Sequence, residues 1–132
     1  MKRELTSHKV NGLNEALKIT VLDEPGSGGA CHNYAIRCTL PISENNPDTW
    51  KHAKASCDIR FQNGPIAEEG VNGISQEALL AIVEDRLVGF QSGPYATADN
   101  AEALEHIRAA QECLHRRTRE RLARGVEGTH AK

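Results

Sequence analysis

Apolar and polar residues alternate through Leu17-Lys18-Ile19-Thr20-Val21, again from His32 to Leu40, and again from Ala55 to Phe61, which predicts three half-buried strands. Between the first two lies Asp23-Glu24-Pro25-Gly26-Ser27-Gly28-Gly29-Ala30. Its glycines can take the positive φ that a chain reversal needs, so these strands are expected to form an antiparallel hairpin. From about Gly70 the period becomes helical. Ser75 is a candidate N-cap for a helix running to Phe90, with Leu80, Val83, Leu87 and Phe90 on one stripe and Ser92-Gly93-Pro94 as its stop. Asp99 and Glu102 resemble a capping box. They open a second helix through Leu104, Ile107, Gln111, Leu114 and Thr118 towards Gly125. At 1.5 Å per residue its ~25 residues span roughly 37 Å, more than the shorter helix can cover, so its last two turns need something else to pack on. Gly125 to Thr129 is a tail that orders only if it docks.

The expectation is therefore an α+β chain: an N-terminal segment (1–14), a small antiparallel β-lobe (15–69), and a long antiparallel helical hairpin (70–132) that oligomerises. Composition points the same way. Of 132 residues 39% are apolar and 4% aromatic, so the core is thin or is completed by a partner. The formal net charge of -2 excludes a polyanion binder that works by bulk charge, and any anion site must be local. No apolar run approaches a membrane span, and Met1 to Thr6 lacks the apolar stretch of a signal peptide; a cytosolic protein is expected.

Four cysteines (Cys31, Cys38, Cys57, Cys113) show no CxxC pair and read as reduced, small core residues. The set Cys31, His32, Cys38, His52 and Cys57 matches no zinc-finger spacing, so no metal or other cofactor is expected. The glycine-rich turn is not a phosphate loop, because Cys31 and His32 stand where Lys and Ser or Thr are required. No nucleophile elbow or framed carboxylate pair is present, and the expectation is a protein that is not an enzyme.

The strongest local asymmetry is the cluster Arg116, Arg117, Arg119, Arg121 and Arg124, which faces a single acid, Glu120, between His115 and Arg124. Arg117, Arg121 and Arg124 recur at i, i+4, i+7, so guanidiniums can converge on one anion; equally, cations suit a solvated helix C-terminus. Phe90 offers a face for purine stacking or a staple for the hairpin end. Asn100 offers donor and acceptor to a base or ribose, or is simply a first-turn residue.

The runs Gly89-Phe90-Gln91-Ser92-Gly93-Pro94-Tyr95, Asp99-Asn100-Ala101-Glu102-Ala103-Leu104, Arg117-Thr118-Arg119-Glu120-Arg121 and Arg124-Gly125-Val126-Glu127-Gly128-Thr129 closely resemble the helical hairpin of the bacteriophage Thoeris anti-defence sponge family, which shares it with anti-CBASS sponges. Upstream, Gly28 to Tyr34 and Arg60 to Ile66 resemble the small β-lobe of the Thoeris version, so the resemblance spans roughly residues 15 to 132. It implies a non-catalytic oligomer, commonly a hexamer, that traps host cyclic nucleotide-like immune signals in the host cell cytoplasm. The ligand it implies is glycocyclic ADP-ribose, with cyclic di- or trinucleotides held by some relatives at separate sites. Motif by motif, the resemblance puts ligand binding on Phe90, Asn100, Arg117, Arg121 and Arg60. Arg121 lies roughly 30 Å along the helix from Asn100 by rise, so one hairpin cannot join them and the site is expected between antiparallel copies. The competing expectations are a sponge for CBASS cyclic di- or trinucleotides, a nucleic-acid-binding helix with steep salt dependence, and a virion or host-protein interaction module.

Overall fold

The computed structural model describes residues 2–39 and 56–132. Leu40 and Ala55, at the ends of two expected strands, and His52 of the candidate metal set lie outside the described residues. The chain is α+β and divides into two units, Met1–Asn63 and Gly64–Lys132.

The first unit holds β1 (Arg3–Leu5), α1 (Gly12–Ala16), β2 (Leu17–Val21), β3 (Asn33–Cys38) and β4 (Ser56–Arg60), and its strands form one antiparallel sheet in chain order. Pairing puts Ile19 opposite Ile36, Val21 opposite Tyr34, Tyr34 opposite Ile59 and Ile36 opposite Cys57 on one face. On the other, Lys18 lies opposite Arg37, and Thr20, Ala35 and Asp58 stand in one row. The alternation thus sets the register, since a one-residue slip would exchange the two faces. Val21 is fully buried, and Tyr34 meets Phe61 edge to face at 5.7 Å. The edge strand β1 lies within residues 1–14, which the sequence pattern leaves outside the lobe. Arg3-Glu4-Leu5 is too short to show an alternation, and its order comes from pairing with β2.

Asp23 closes the turn between β2 and β3. Its carboxylate accepts the backbone N–H groups of His32 (2.9 Å) and Asn33 (3.1 Å) and the Asn33 side-chain amide (3.3 Å), while Gly28 and Gly29 supply φ of 76° and 84°. Burial alone raises this carboxyl, but those hydrogen bonds and the His32 imidazole outweigh it and hold it below its ordinary value. A lowered folded-state value stabilises the turn above the ordinary carboxylate range, and that contribution is lost as pH falls below about 4. We expect the urea midpoint to drop between pH 6 and pH 3, and Asp23→Asn to flatten the drop. An unchanged slope in the variant would assign it to other carboxylates.

The second unit holds α2 (Ile66–Glu69), α3 (Gln76–Gln91) and α4 (Ala98–Ala123). Ser75 caps α3 as the sequence predicts, its side chain accepting from Ala78 N at 3.2 Å. The cap of α4 is Thr97 rather than Asp99: Thr97 Oγ1 accepts from Asn100 N at 3.0 Å. Gln91 explains the shift, since its side-chain amide clamps both backbone groups of Thr97, at 3.0 and 3.1 Å, and fixes it where the helix begins. Asp99 instead sits in the first turn, where its charge suits the helix dipole. Thr97→Ala is expected to cost about 1 kcal/mol of stability by thermal or urea unfolding, a typical loss for an N-cap.

Facing α3, α4 carries the expected seam: Leu104 is buried and Ile107, Gln111, Leu114 and Thr118 are half-buried. The stripe on α3 divides. Leu80 and Leu87 are half-buried together with Glu84 and Gln91, whereas Val83 and Phe90, each 41% exposed, stay outside. Polar anchoring selects this rotation, because Glu84 takes a hydrogen bond from Arg108 Nε at 2.9 Å and faces Gln111. The Arg108 guanidinium holds the Glu84 carboxyl below its ordinary value despite partial desolvation. No residue of α3 is buried.

At 1.5 Å per residue the 26 residues of α4 extend about 39 Å and the 16 of α3 about 24 Å. The C-terminal tail does dock. Gly125 and Gly128 take positive φ, Val126 N bonds to Arg121 O, Ala67 N bonds to Gly128 O at 3.2 Å, and His130 meets Glu68 at 3.1 Å. Cover for the end of α4 thus comes from the chain's own tail. The cysteines depart from the core reading: all four are free thiols, but only Cys31 is buried, while Cys57 and Cys113 are exposed. Cys113 lies off the Leu104 to Thr118 seam, where its small size is not needed for packing.

Candidate functional site

The second unit carries Phe90, Asn100, Arg117 and Arg121; Arg60 ends β4 in the first unit, exposed and paired in register with Asn33. Phe90 and Asn100 flank the turn between α3 and α4. The Phe90 side chain is exposed and has the Arg86 guanidinium over its ring, 5.6 Å from the centroid, a cation–π contact. Asn100 is half-buried in the first turn of α4. Thr97 takes its backbone N–H, and its side-chain amide has no hydrogen-bond partner among the described residues.

Arg117 and Arg121 lie one turn apart on α4 but do different work. Arg117 is exposed and has no ion pair or hydrogen-bond partner among the described residues. Arg121 is only 7% exposed: it donates to Glu127 Oε2 (2.9 Å), to the carbonyls of Val126 (2.9 Å) and Thr129 (3.1 Å), and to the carbonyl of Ala131. The i, i+4 spacing suggests two equivalent donors, whereas the fold presents one open guanidinium and one held by the tail. Nothing within the helix signals this, because the partners lie beyond its end. The nearest clue is the glycine-flanked Glu127, since Gly125 and Gly128 let the chain fold back.

The rest of the arginine cluster is also more balanced than its local sequence. Arg119 pairs with Glu112 (2.5 Å), Arg124 with Glu120 (2.6 Å), and Arg116 reaches Cys113 Sγ (3.4 Å). Glu112 and Glu127 lie outside the window that holds Glu120 as its only acid, and the fold brings both in. No continuous cationic stripe results. From Asn100 to Arg117 the helix rises about 26 Å, so α4 separates the amide at its start from its open arginine.

Among the described residues no group of three or more His, Cys, Asp or Glu side chains is placed to hold a metal, and no helix is long and apolar enough to cross a membrane. Cys31 instead donates to Asp23 O at 3.4 Å.

The family model described as "Acb2/Tad1, hairpin domain" matches residues 53–119, just over half of the chain. The chain is also 45% identical over 74 residues to a Bacillus phage SBSphiJ7 protein named Thoeris anti-defense 1. That match covers 56% of this chain and 52% of the relative, so the chain spans about half the length of the curated relative.

Proposed function

We propose that this chain, which belongs to the Acb2/Tad1 hairpin-domain family, is a phage anti-defence sponge that works in the host cytoplasm by holding a cyclic nucleotide immune signal, foremost glycocyclic ADP-ribose, without breaking it. The observation that carries this reading is the distribution of open groups along the hairpin: the Phe90 ring at the end of α3 and the Asn100 amide at the start of α4, and the open Arg117 guanidinium about 26 Å up α4 from Asn100. A dinucleotide-like ligand needs those three kinds of group together: a π-face for the base, a polar reader for base or ribose, and charge-assisted donors for the phosphates. An antiparallel second copy brings Arg117 of one chain beside Phe90 and Asn100 of the other. The exposed Val83 and Ile82 of α3 and Leu122 of α4 are apolar surface for such pairing, up to the hexamer common in the resembling family.

Arg121 enters this site by exchange. Its present partners are a carboxylate and three carbonyls, which are oxygen acceptors of the kind a phosphate supplies, so ligand displaces Glu127 rather than filling an empty place. Arg60, in the separate first unit, is assigned by the family resemblance alone. None of Phe90, Asn100, Arg117, Arg121 and Arg60 is a nucleophile or a base at neutral pH, which supports capture without turnover. Cyclic di- and trinucleotides present the same groups and are the alternative ligands. The acid-paired arginines argue against a nucleic-acid interface.

The test is to incubate the protein with glycocyclic ADP-ribose, a cyclic dinucleotide and a cyclic trinucleotide, then denature it by heat. The expected result is ligand that is masked before heating and recovered unchanged after it. Time-dependent linear product would overturn the sponge reading. Light scattering on the protein before heating should show at least a dimer; a 14.4 kDa monomer would remove the site between copies.

A further inference from the structure

The polar face of the β-sheet carries a second cluster of chemistry that the hairpin does not use. Lys2, Arg3, Glu4, Lys18, Thr20, Leu22, Ala35 and Arg37 line a concavity of about 590 Å³ within the first unit. Its floor is the buried Ala35, with the Thr20 side chain from the neighbouring strand in the same register row. Its charged lining is four cations and one acid, Glu4. Lys18 stands directly opposite Arg37 on the adjacent strand, and like charges at such cross-strand positions repel.

Neighbouring acids only partly relieve that repulsion. Arg37 turns towards β4, where Asp58 holds it at 2.7 Å, and Lys18 has no acidic partner among the described residues. Glu4 shares its charge with Lys9 at 3.9 Å. The Arg3 guanidinium is directed to Cys31 Sγ, so this face presents Lys2 and Lys18, with Arg37 shared with Asp58 and with the carbonyls of Ile36 and Cys57. A repelling cation pair beside a concave floor, in a chain whose net charge is -2, is an arrangement that a bound anion stabilises.

We infer that this face is a binding site for a small phosphate-bearing molecule, its phosphate between Lys18 and Arg37, where it replaces the exposed Asp58 carboxylate on the guanidinium, and its apolar part over Ala35 and Leu22. The site lies wholly in the first unit and does not depend on the hairpin reading. The probes are inorganic pyrophosphate and adenosine 5′-diphosphate, titrated into the full chain while backbone amide signals are followed by NMR. Saturable shifts are expected at Lys18, Thr20, Ala35 and Arg37, weakening as salt is added. Stronger shifts with the nucleotide than with pyrophosphate would place its organic part on the Ala35 floor; equal shifts would restrict the site to the phosphate alone and overturn that half of the assignment. Lys18→Gln should weaken binding about 5-fold to 10-fold and Lys18→Glu should abolish it, while Arg117→Ala leaves these shifts intact, which separates this site from the hairpin. Unsaturated shifts, or shifts that survive both Lys18 variants in a folded protein, would overturn the inference.

Discussion

Arg117→Ala is expected to weaken capture of glycocyclic ADP-ribose about 10-fold to 150-fold, the equivalent of roughly 1.5 to 3 kcal/mol for a hydrogen bond to a charged partner. The size of the effect follows from what the variant leaves alone. Arg117 is exposed, and among the described residues nothing leans on it, so its removal changes the ligand's surroundings and not the hairpin. Phe90→Ala should cost a comparable amount, about 1 to 3 kcal/mol, through lost stacking. Arg116→Ala and Arg119→Ala are the controls: one guanidinium rests on Cys113 and the other pairs with Glu112 at the surface, where an ion pair contributes little. Calorimetric titration of the four variants decides it. If Arg117 and Phe90 prove no more sensitive than the controls with every cyclic ligand, these residues do not form the site.

Arg121→Ala should show two losses where Arg117→Ala shows one. Capture falls, and so does stability, by about 3 kcal/mol, because a buried charged donor is withdrawn from a carboxylate and three carbonyls. The measurements are a urea midpoint and amide exchange over residues 126 to 131, which should lose protection together. Glu127→Gln provides the contrast. It removes the carboxylate charge but keeps the guanidinium, so the tail loosens while capture strengthens. An Arg121→Ala protein that melts like the parent would show that the tail is not held as described. A Glu127→Gln protein that binds more weakly would sink the exchange of carboxylate for phosphate.

The elements most legible in the sequence are those whose pattern is local and repeated. Strands β2, β3 and β4 appear as alternation, and the Ser75 cap and the seam from Leu104 to Thr118 as helical period. The features that escaped depend on partners distant along the chain. Three residues of β1 carry no period, and a side chain six residues upstream decides that Thr97 rather than Asp99 caps α4. Val83 and Phe90 fit the apolar period as well as Leu80 and Leu87 do, but Glu84, held by Arg108, sets the rotation that leaves them outside. At the candidate site, spacing shows that Arg117 and Arg121 share a helix face. It does not show that the tail returns to occupy one of them, because that contact is made by backbone carbonyls, which every sequence possesses.

Under the proposed pairing of copies, the order of α3, none of whose residues is buried, depends on concentration. With Ile82, Val83, Val88 and Phe90 exposed, α3 keeps apolar surface for another copy, so under the proposed pairing the melting temperature climbs as the chain accumulates. The dose of protein then governs two quantities together: the number of signal molecules that a non-consuming binder can hold, and the fraction of chains assembled enough to hold any. Early in its synthesis such a protein neutralises less than its copy number implies, and its capacity rises more steeply than in proportion to the amount made.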